Sequence, residues 1–210
     1  MRWPPGRLAA ILGPVSRGRL EAFSDGVIAI LVTIMVLNLR PPSGDQFTDL
    51  RAMVPQLLVY VLSFVMLAIY WNNHHHLMQV VERIDGRVLW ANMGLLFSLS
   101  LMPIATEWLG SHWRASGPVL AYGLVLLAAA IAYYILTTQL LRIHAPDSRL
   151  AVAIGQDRKG KLSAAGYVLA VLLALVVPVV SIAIYIAIAV VWLVPDRRIE
   201  RVAGDPPASG

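Results

Sequence analysis

Asp25 is where chemistry starts in this chain, because a carboxylate there opens a mainly apolar run to Leu39. A carboxylate carried into a low-dielectric helix is costly, and it is kept where it pairs with another group or serves an ion path. The structural alternative is a helix-start acid facing the positive end of its own helix dipole. Arg19 lies six residues earlier, about 240° round a helix, and cannot pair as a simple neighbour. Glu21, at i,i+4, has the same sign as Asp25. Any partner of Asp25 therefore comes from another helix.

The run Trp71-Asn72-Asn73-His74-His75-His76 supplies candidates. A polar clamp that joins Ser24 and Asp25 to this run is the arrangement its residue types favour. The plainer alternative is a helix end emerging into headgroups, with Trp71 as interface anchor. A metal centre is not expected: successive histidines point about 100° apart, so at most two of the three address one partner. His112 and His144 fall in other parts of the chain, and no cysteine is present, which excludes disulfides and thiolate chemistry.

A second pattern runs along the same helix. Phe23, Gly26, Ile30, Thr33 and Leu37 recur at spacings of three and four and share one face. Ordinary helix packing explains such a stripe: Gly26 permits close approach, and Thr33 bonds back to the Ala29 carbonyl. The functional reading is a pore lining contributed by several subunits. Ile30 and Leu37 are then apolar constrictions, with Thr33 a ring of hydroxyls between them.

Composition dictates what positions these residues. Only 14% of the 210 residues are charged, 58% are hydrophobic and the mean hydropathy is +0.70, whereas a soluble domain carries about 25% charge. The chain cannot coat a water-facing surface. A span needs about 20 apolar helical residues, which Leu20–Leu39, Val54–Val81, Val88–Leu109 and Val119–Leu141 satisfy. A fifth segment, Leu162–Val194, is too long for one straight crossing, and Pro178 interrupts it. It divides into Leu162–Val177 and Val179–Val194, giving an all-α integral membrane protein of six helices.

Charge placement supports the division. With both ends inside, Arg2, Arg7, Arg17, Arg19, Arg83, Arg87, Arg142, Arg149, Arg158, Lys159, Lys161, Arg197, Arg198 and Arg201 are cytoplasmic. Only Arg40, Arg51 and Arg114 are outside, the asymmetry that topology rules require. Five helices would move three C-terminal cations out. The expected organisation is a cytoplasmic N-tail (1–17), a six-helix membrane domain (18–195) and a disordered cytoplasmic C-tail (196–210). The N-terminus lacks the apolar core and cleavage site of a secretory signal. The basic balance reflects orientation in the bilayer and not nucleic acid.

Arg19-x-x-x-Phe23-Ser24-Asp25, followed by an Ile/Val/Thr-rich helix, resembles the signature of the transmembrane protein 175 family of potassium channels, bacterial branch. Trp71-x-x-His74-His75 and Asn92…Leu95-Leu96…Pro103-Ile104-Ala105-Thr106 are similar to the same pattern. The resemblance spans about Arg17 to Thr106. It implies a homotetramer in the plasma membrane, with helix 1 lining the central pore and K⁺ as the permeant ion. Its pore isoleucine or leucine falls on Ile30, its threonine layer on Thr33 and its outer apolar layer on Leu37. Arg19, Phe23, Ser24 and Asp25, with Trp71 and His74 or His75, form the bracing network. His76 extends the usual pair, and Asn38 has no counterpart.

The function expected is passive K⁺ conduction without a bound cofactor. No TVGYG-like filter is present, so selectivity falls to pore side chains. The alternative is a proton-coupled transporter or proton conductor, with Asp25 and the histidines as relay. Against carriers, none of the first four helices is expected to break within the membrane. An enzyme would need Ser24, Asp25 and His75 as its catalytic set, and Ser24 lies in no nucleophile elbow.

Overall fold

The computed structural model describes residues 16–42, 44–155 and 157–193. Among them are eight α-helices, one 3-10 helix and no strand. We number them α1 (Arg17–Leu37), α2 (Val54–Val80), α3 (Gly86–Ser100), α4 (Met102–Ser111), α5 (Ser116–Ile143), α6 (Arg149–Ile154), α7 (Arg158–Leu173) and α8 (Pro178–Leu193); the 3-10 turn Phe47–Met53 leads into α2. Four stretches are long and apolar enough to cross a membrane: Arg17–Leu37, Phe47–Val80, Gly86–Ser111 and Ser116–Ile143. The chain is a multi-pass helical membrane protein. The N-tail through Val15 and everything from Val194 onward, including the expected C-tail and its cations, lie outside the described residues.

Local chemistry sets the boundaries. The Asp85 carboxylate caps α3 by accepting from the Val88 amide at 2.9 Å, and Ser148 caps α6 through Ala151. The third span, expected to be unbroken, is interrupted at Leu101, two residues before Pro103. Proline has no N–H to offer the carbonyl four residues back, so the helix restarts as α4. The break stays hydrogen-bonded, with the Leu101 amide on Ser98 and the Ala105 amide on Leu101. It exposes no unwound backbone of the carrier kind, although the expectation of four unbroken helices does not hold.

The division at Pro178 appears as α7 and α8, two helices of 16 residues joined by a turn. Each is about 24 Å long, shorter than a hydrocarbon core of about 30 Å. They pair antiparallel: the Ser181 hydroxyl donates to the Ala170 carbonyl at 2.7 Å, and the Trp192 indole donates to Ser163 at 2.8 Å. Helix α6 occupies a stretch read as plain loop. Its buried Leu150 and Ala153 press against the bundle, a one-turn amphipathic pattern too short to stand out in sequence.

The core fills the space between α2, α3, α4 and α5, with Leu67, Met78, Leu95, Leu99, Leu109, Leu126 and Leu136 fully buried. A polar knot lies inside it. Ser63 spends its one hydrogen on the Val59 carbonyl at 2.9 Å, so Thr106 at 2.7 Å and Tyr122 at 3.0 Å both donate to its oxygen. Beside the knot, the Tyr185 ring of α8 occupies the space that a side chain at Gly123 would need. Gly123→Ala is expected to lower thermal stability in detergent by about 1–3 kcal/mol through overpacking. Gly94→Ala, at a glycine with open space around it, is expected to be neutral or to gain up to about 1 kcal/mol of helix propensity. Equal melting temperatures for the two variants would contradict this packing.

Candidate functional site: the first helix and its polar clamp

Helices α1 and α2 run antiparallel, and the N-terminal part of α1 meets the C-terminal part of α2 through rungs spaced four residues apart. The Trp71 indole donates to Asp25 Oδ1 at 3.0 Å. One turn nearer the end, His75 Nδ1 meets Glu21 Oε1 at 3.1 Å. One turn further, the Arg17 guanidinium donates to the Gln79 and Val81 carbonyls at 3.4 and 3.3 Å. Each four-residue step along α1 is matched by a four-residue step back along α2, as i,i+4 faces require. Trp71 stacks on His75 with ring centroids 5.7 Å apart, so neighbouring rungs support one another.

A buried branch reaches a third helix. Ser24 is fully buried and donates to the Leu20 carbonyl at 2.9 Å. The Asn92 amide donates to Ser24 Oγ at 2.9 Å, and Asn92 Oδ1 faces His74 Nε2 at 2.9 Å. The amide orientation fixes the imidazole: with Asn92 Oδ1 an acceptor, His74 carries its hydrogen on Nε2. His74 Nδ1 is then a buried lone pair without a partner. The triad Ser24–Asn92–His74 joins α1, α3 and α2 at one point.

The far end of α1 is also tied. The Gln56 amide donates to the Asn38 carbonyl at 3.1 Å, and the Asn38 amide reaches the Pro103 carbonyl at 3.5 Å. Asn38, without assignment from sequence, anchors α1 to α2 and α4. Gly110 allows that junction to close, since a β-carbon there would lie 3.2 Å from the Gln56 backbone.

These ties set the rotation of α1. Leu20, Ser24, Ile28, Leu31 and Met35 face the bundle. Phe23, Ile30 and Leu37 are 53%, 58% and 80% exposed, and Gly26 and Thr33 are exposed with them. Among the described residues the stripe is exposed within one chain, and a β-carbon at Gly26 would meet no atom within 4 Å. Thr33 bonds to the Ile30 carbonyl at 2.8 Å, not to Ala29 as expected, because its rotamer selects the i−3 oxygen.

The structure thus brings together Ser24, Asp25, Trp71, His74 and His75. Arg19 is exposed and makes no hydrogen bond or ion pair among the described residues. Glu21 and Asn92 were missed as members. Glu21 was set aside for its sign towards Asp25, yet the matching spacing of 21/25 and 71/75 carried the signal. His76 turns to Gln79, and no group of three metal-ligating side chains occurs among the described residues.

Fold and site define a multi-pass helical membrane protein whose first helix is braced on one face and bare on the other. The model of the family described as endosomal/lysosomal potassium channel TMEM175 matches residues 19–103, the segment containing this brace. A Chryseobacterium protein named as a potassium channel is 48% identical over 89% of this chain and 97% of its own length. The chain belongs to the TMEM175 family. A crystal structure described as a lysosomal potassium-selective channel TMEM175 homolog from Chamaesiphon minutus aligns with a TM-score of 0.74 at 26% identity, covering 84% of this chain and 96% of that one. The human endosomal/lysosomal proton channel TMEM175 is 37% identical over 42% of this chain and 19% of its own length.

Asn92→Ala removes the centre of the triad and leaves Ser24 and His74 buried with unmet groups, at a cost of about 1–3 kcal/mol. Asp25→Ala strands the Trp71 indole and is expected to weaken the α1–α2 contact, while His76→Ala leaves stability unchanged. Thermal melts of the purified protein order the three, and a His76 variant as unstable as the Asn92 variant would refute the triad.

Proposed function

We propose that this chain is the subunit of a potassium channel, a homotetramer in the plasma membrane with α1 of each subunit around a central axis. The observation that carries the reading is the bare stripe on α1: apolar rings at Ile30 and Leu37 with the Thr33 hydroxyl between them, on a helix fixed at both ends. One helix cannot enclose a pore, so conduction requires several copies. The bacterial relative's name supports K⁺ as the permeant ion.

On this reading Ile30 forces partial dehydration, and apolar rings also gate by dewetting. Thr33 donates its hydrogen to its own helix, which leaves its oxygen lone pairs to replace lost water around an ion. The clamp residues Ser24, Asp25, Trp71, His74 and His75 hold the rings in place and do not touch the ion. With six helices per subunit, counting α3–α4 as one and α7 and α8 separately, both termini fall on one side, and the Lys/Arg asymmetry supports the cytoplasm as that side. Reporter fusions after Arg87 and Arg158 are expected inside and those at Gly44 and His112 outside; the reverse pattern would overturn the orientation.

The second reading, proton conduction or proton-coupled transport through Asp25 and the histidines, draws on the human relative's name. The geometry favours the first. Asp25 is held by an indole N–H, which does not relay protons, and His74 gives its hydrogen to an amide.

The experiment is paired: planar-bilayer currents under a K⁺/Na⁺ gradient, beside a thermal melt of each variant. Wild type is expected to reverse near the K⁺ potential as a four-fold assembly in mild detergent. Ile30→Asn should raise conductance and lower K⁺ preference, because a hydrating neck imposes less dehydration. Thr33→Val keeps shape and fold but should reduce current. Unchanged currents with a destabilised Ile30→Asn protein would sink the pore assignment. A reversal potential that follows only the pH gradient would favour proton conduction.

A further inference from the structure

Helices α3 and α5 leave an open groove of about 550 Å³ on the surface of the bundle, lined on one side by Arg87, Trp90 and Gly94 and on the other by Ile135, Gln139 and Arg142. From its composition we infer that the groove is a binding site for one anionic phospholipid, with an acyl chain along Gly94 and Ile135 and the phosphate between Arg87 and Arg142.

Three observations carry this. First, the groove has a polar end and an apolar end in the order of a lipid. Arg87 is the second residue of α3 and Arg142 the penultimate residue of α5, so both cations sit at one end of the bundle. That end is fixed by His144, whose Nε2 accepts from the Glu82 and Arg83 amides at 3.1 and 3.4 Å. Trp90, 80% exposed, lies one turn deeper, where an indole marks the boundary between headgroup and chain. Gly94 lies one further turn in, with nothing within 4 Å of where its β-carbon would be.

Second, the charge is uncompensated. Among the described residues no acidic side chain lines the groove. Arg87 makes no hydrogen bond or ion pair among the described residues, and Arg142 gives one bond, at 3.3 Å, to Gln139. Two guanidiniums flanking an apolar slot match a phosphate with an acyl chain, and a zwitterionic headgroup, whose own ammonium offsets the phosphate charge, gains less from them than an anionic one.

Third, the groove faces outward. Asn92 contacts Ser24 of α1, and Arg87, Trp90 and Gly94 are each about 140–160° from Asn92 around α3. On the pore reading, which this one step uses, α1 is innermost, Asn92 faces it, and the Trp90 face is outermost, where lipid is the solvent. The charge and shape arguments stand without that step.

The test uses Trp90 as a reporter, in the intact protein reconstituted into nanodiscs. Phosphatidylglycerol brominated along its acyl chains is compared with the same brominated phosphatidylcholine at low mole fraction. The Trp90 signal is the difference between wild type and Trp90→Phe. Brominated phosphatidylglycerol is expected to quench it at about tenfold lower mole fraction than brominated phosphatidylcholine. Arg87→Gln with Arg142→Gln should bring the two lipids level. Gly94→Leu, whose β-carbon meets no atom within 4 Å, should reduce quenching by both while the melting temperature holds. Equal quenching of wild type by the two lipids would overturn the anionic site. Absence of quenching by either would show a second subunit covering this face and would overturn it as well. Both readings need only wild type and Trp90→Phe, a change at an exposed residue, so an Arg87, Arg142 or Gly94 variant that fails to fold leaves the outcome decided. Currents are recorded separately, so a failed lipid site and a failed pore remain distinguishable.

Discussion

The rotation of α1 about its own axis is the constraint on which the rest depends. It is set by Ser24–Asn92–His74, a buried triad at the only point where α1, α2 and α3 share a polar contact among the described residues. Interhelical hydrogen bonds in membranes are modest, averaging about 0.6 kcal/mol and rarely exceeding about 1.7. No single rung therefore holds the helix. Specification comes from register: a one-residue slip turns α1 by about 100° and breaks the Asp25–Trp71, Glu21–His75, Ser24–Asn92 and Asn38–Gln56 contacts together. Several weak bonds that must fail at once define one orientation sharply.

Orientation decides which residues are bare. Small and polar Ser24 goes inward, where Asn92 satisfies it, and large apolar Ile30 and Leu37 go outward. In a water-soluble bundle that distribution would be inverted. In a bilayer an apolar outward face costs nothing, so apolarity cannot show which way a helix turns. Polar groups with few possible partners settle it, and the hydrocarbon core makes their satisfaction obligatory.

This explains what was legible in the sequence. Four spans and a Pro178 division follow from length, hydropathy and one proline, and they recur with helix ends shifted by at most four residues. That Asp25's partner comes from helix 2 followed from elimination on α1 and the residue types at 71–76, and Trp71 is that partner. The break at Leu101 was not weighed, although Pro103 stands in the sequence, because an apolar run masks it. Asn92 was noted only as part of the family pattern on the third span. Its role depends on three helices meeting, information that no local spacing holds. Glu21 was misjudged through its neighbour on α1, when its partner was a turn away on α2. Asn38 was unreadable for the same reason, since its partners Gln56 and Pro103 lie 18 and 65 residues distant.

A consequence for opening and closing follows from where the ties are. On the pore reading, the aperture is set by Ile30 and Leu37, and α1 is fastened on both sides of them: by Asp25 and Ser24 below, by Asn38 above. Turning α1 alone would break all of these contacts while gaining none. Moving α1 together with α2, α3 and α4 breaks none of them within a subunit. Pore dimensions therefore change by displacement of the clamped unit as a body, or by side-chain rotamers at Ile30 and Leu37. On the same reading, the bonds that brace the helix oppose its independent rotation as a gate.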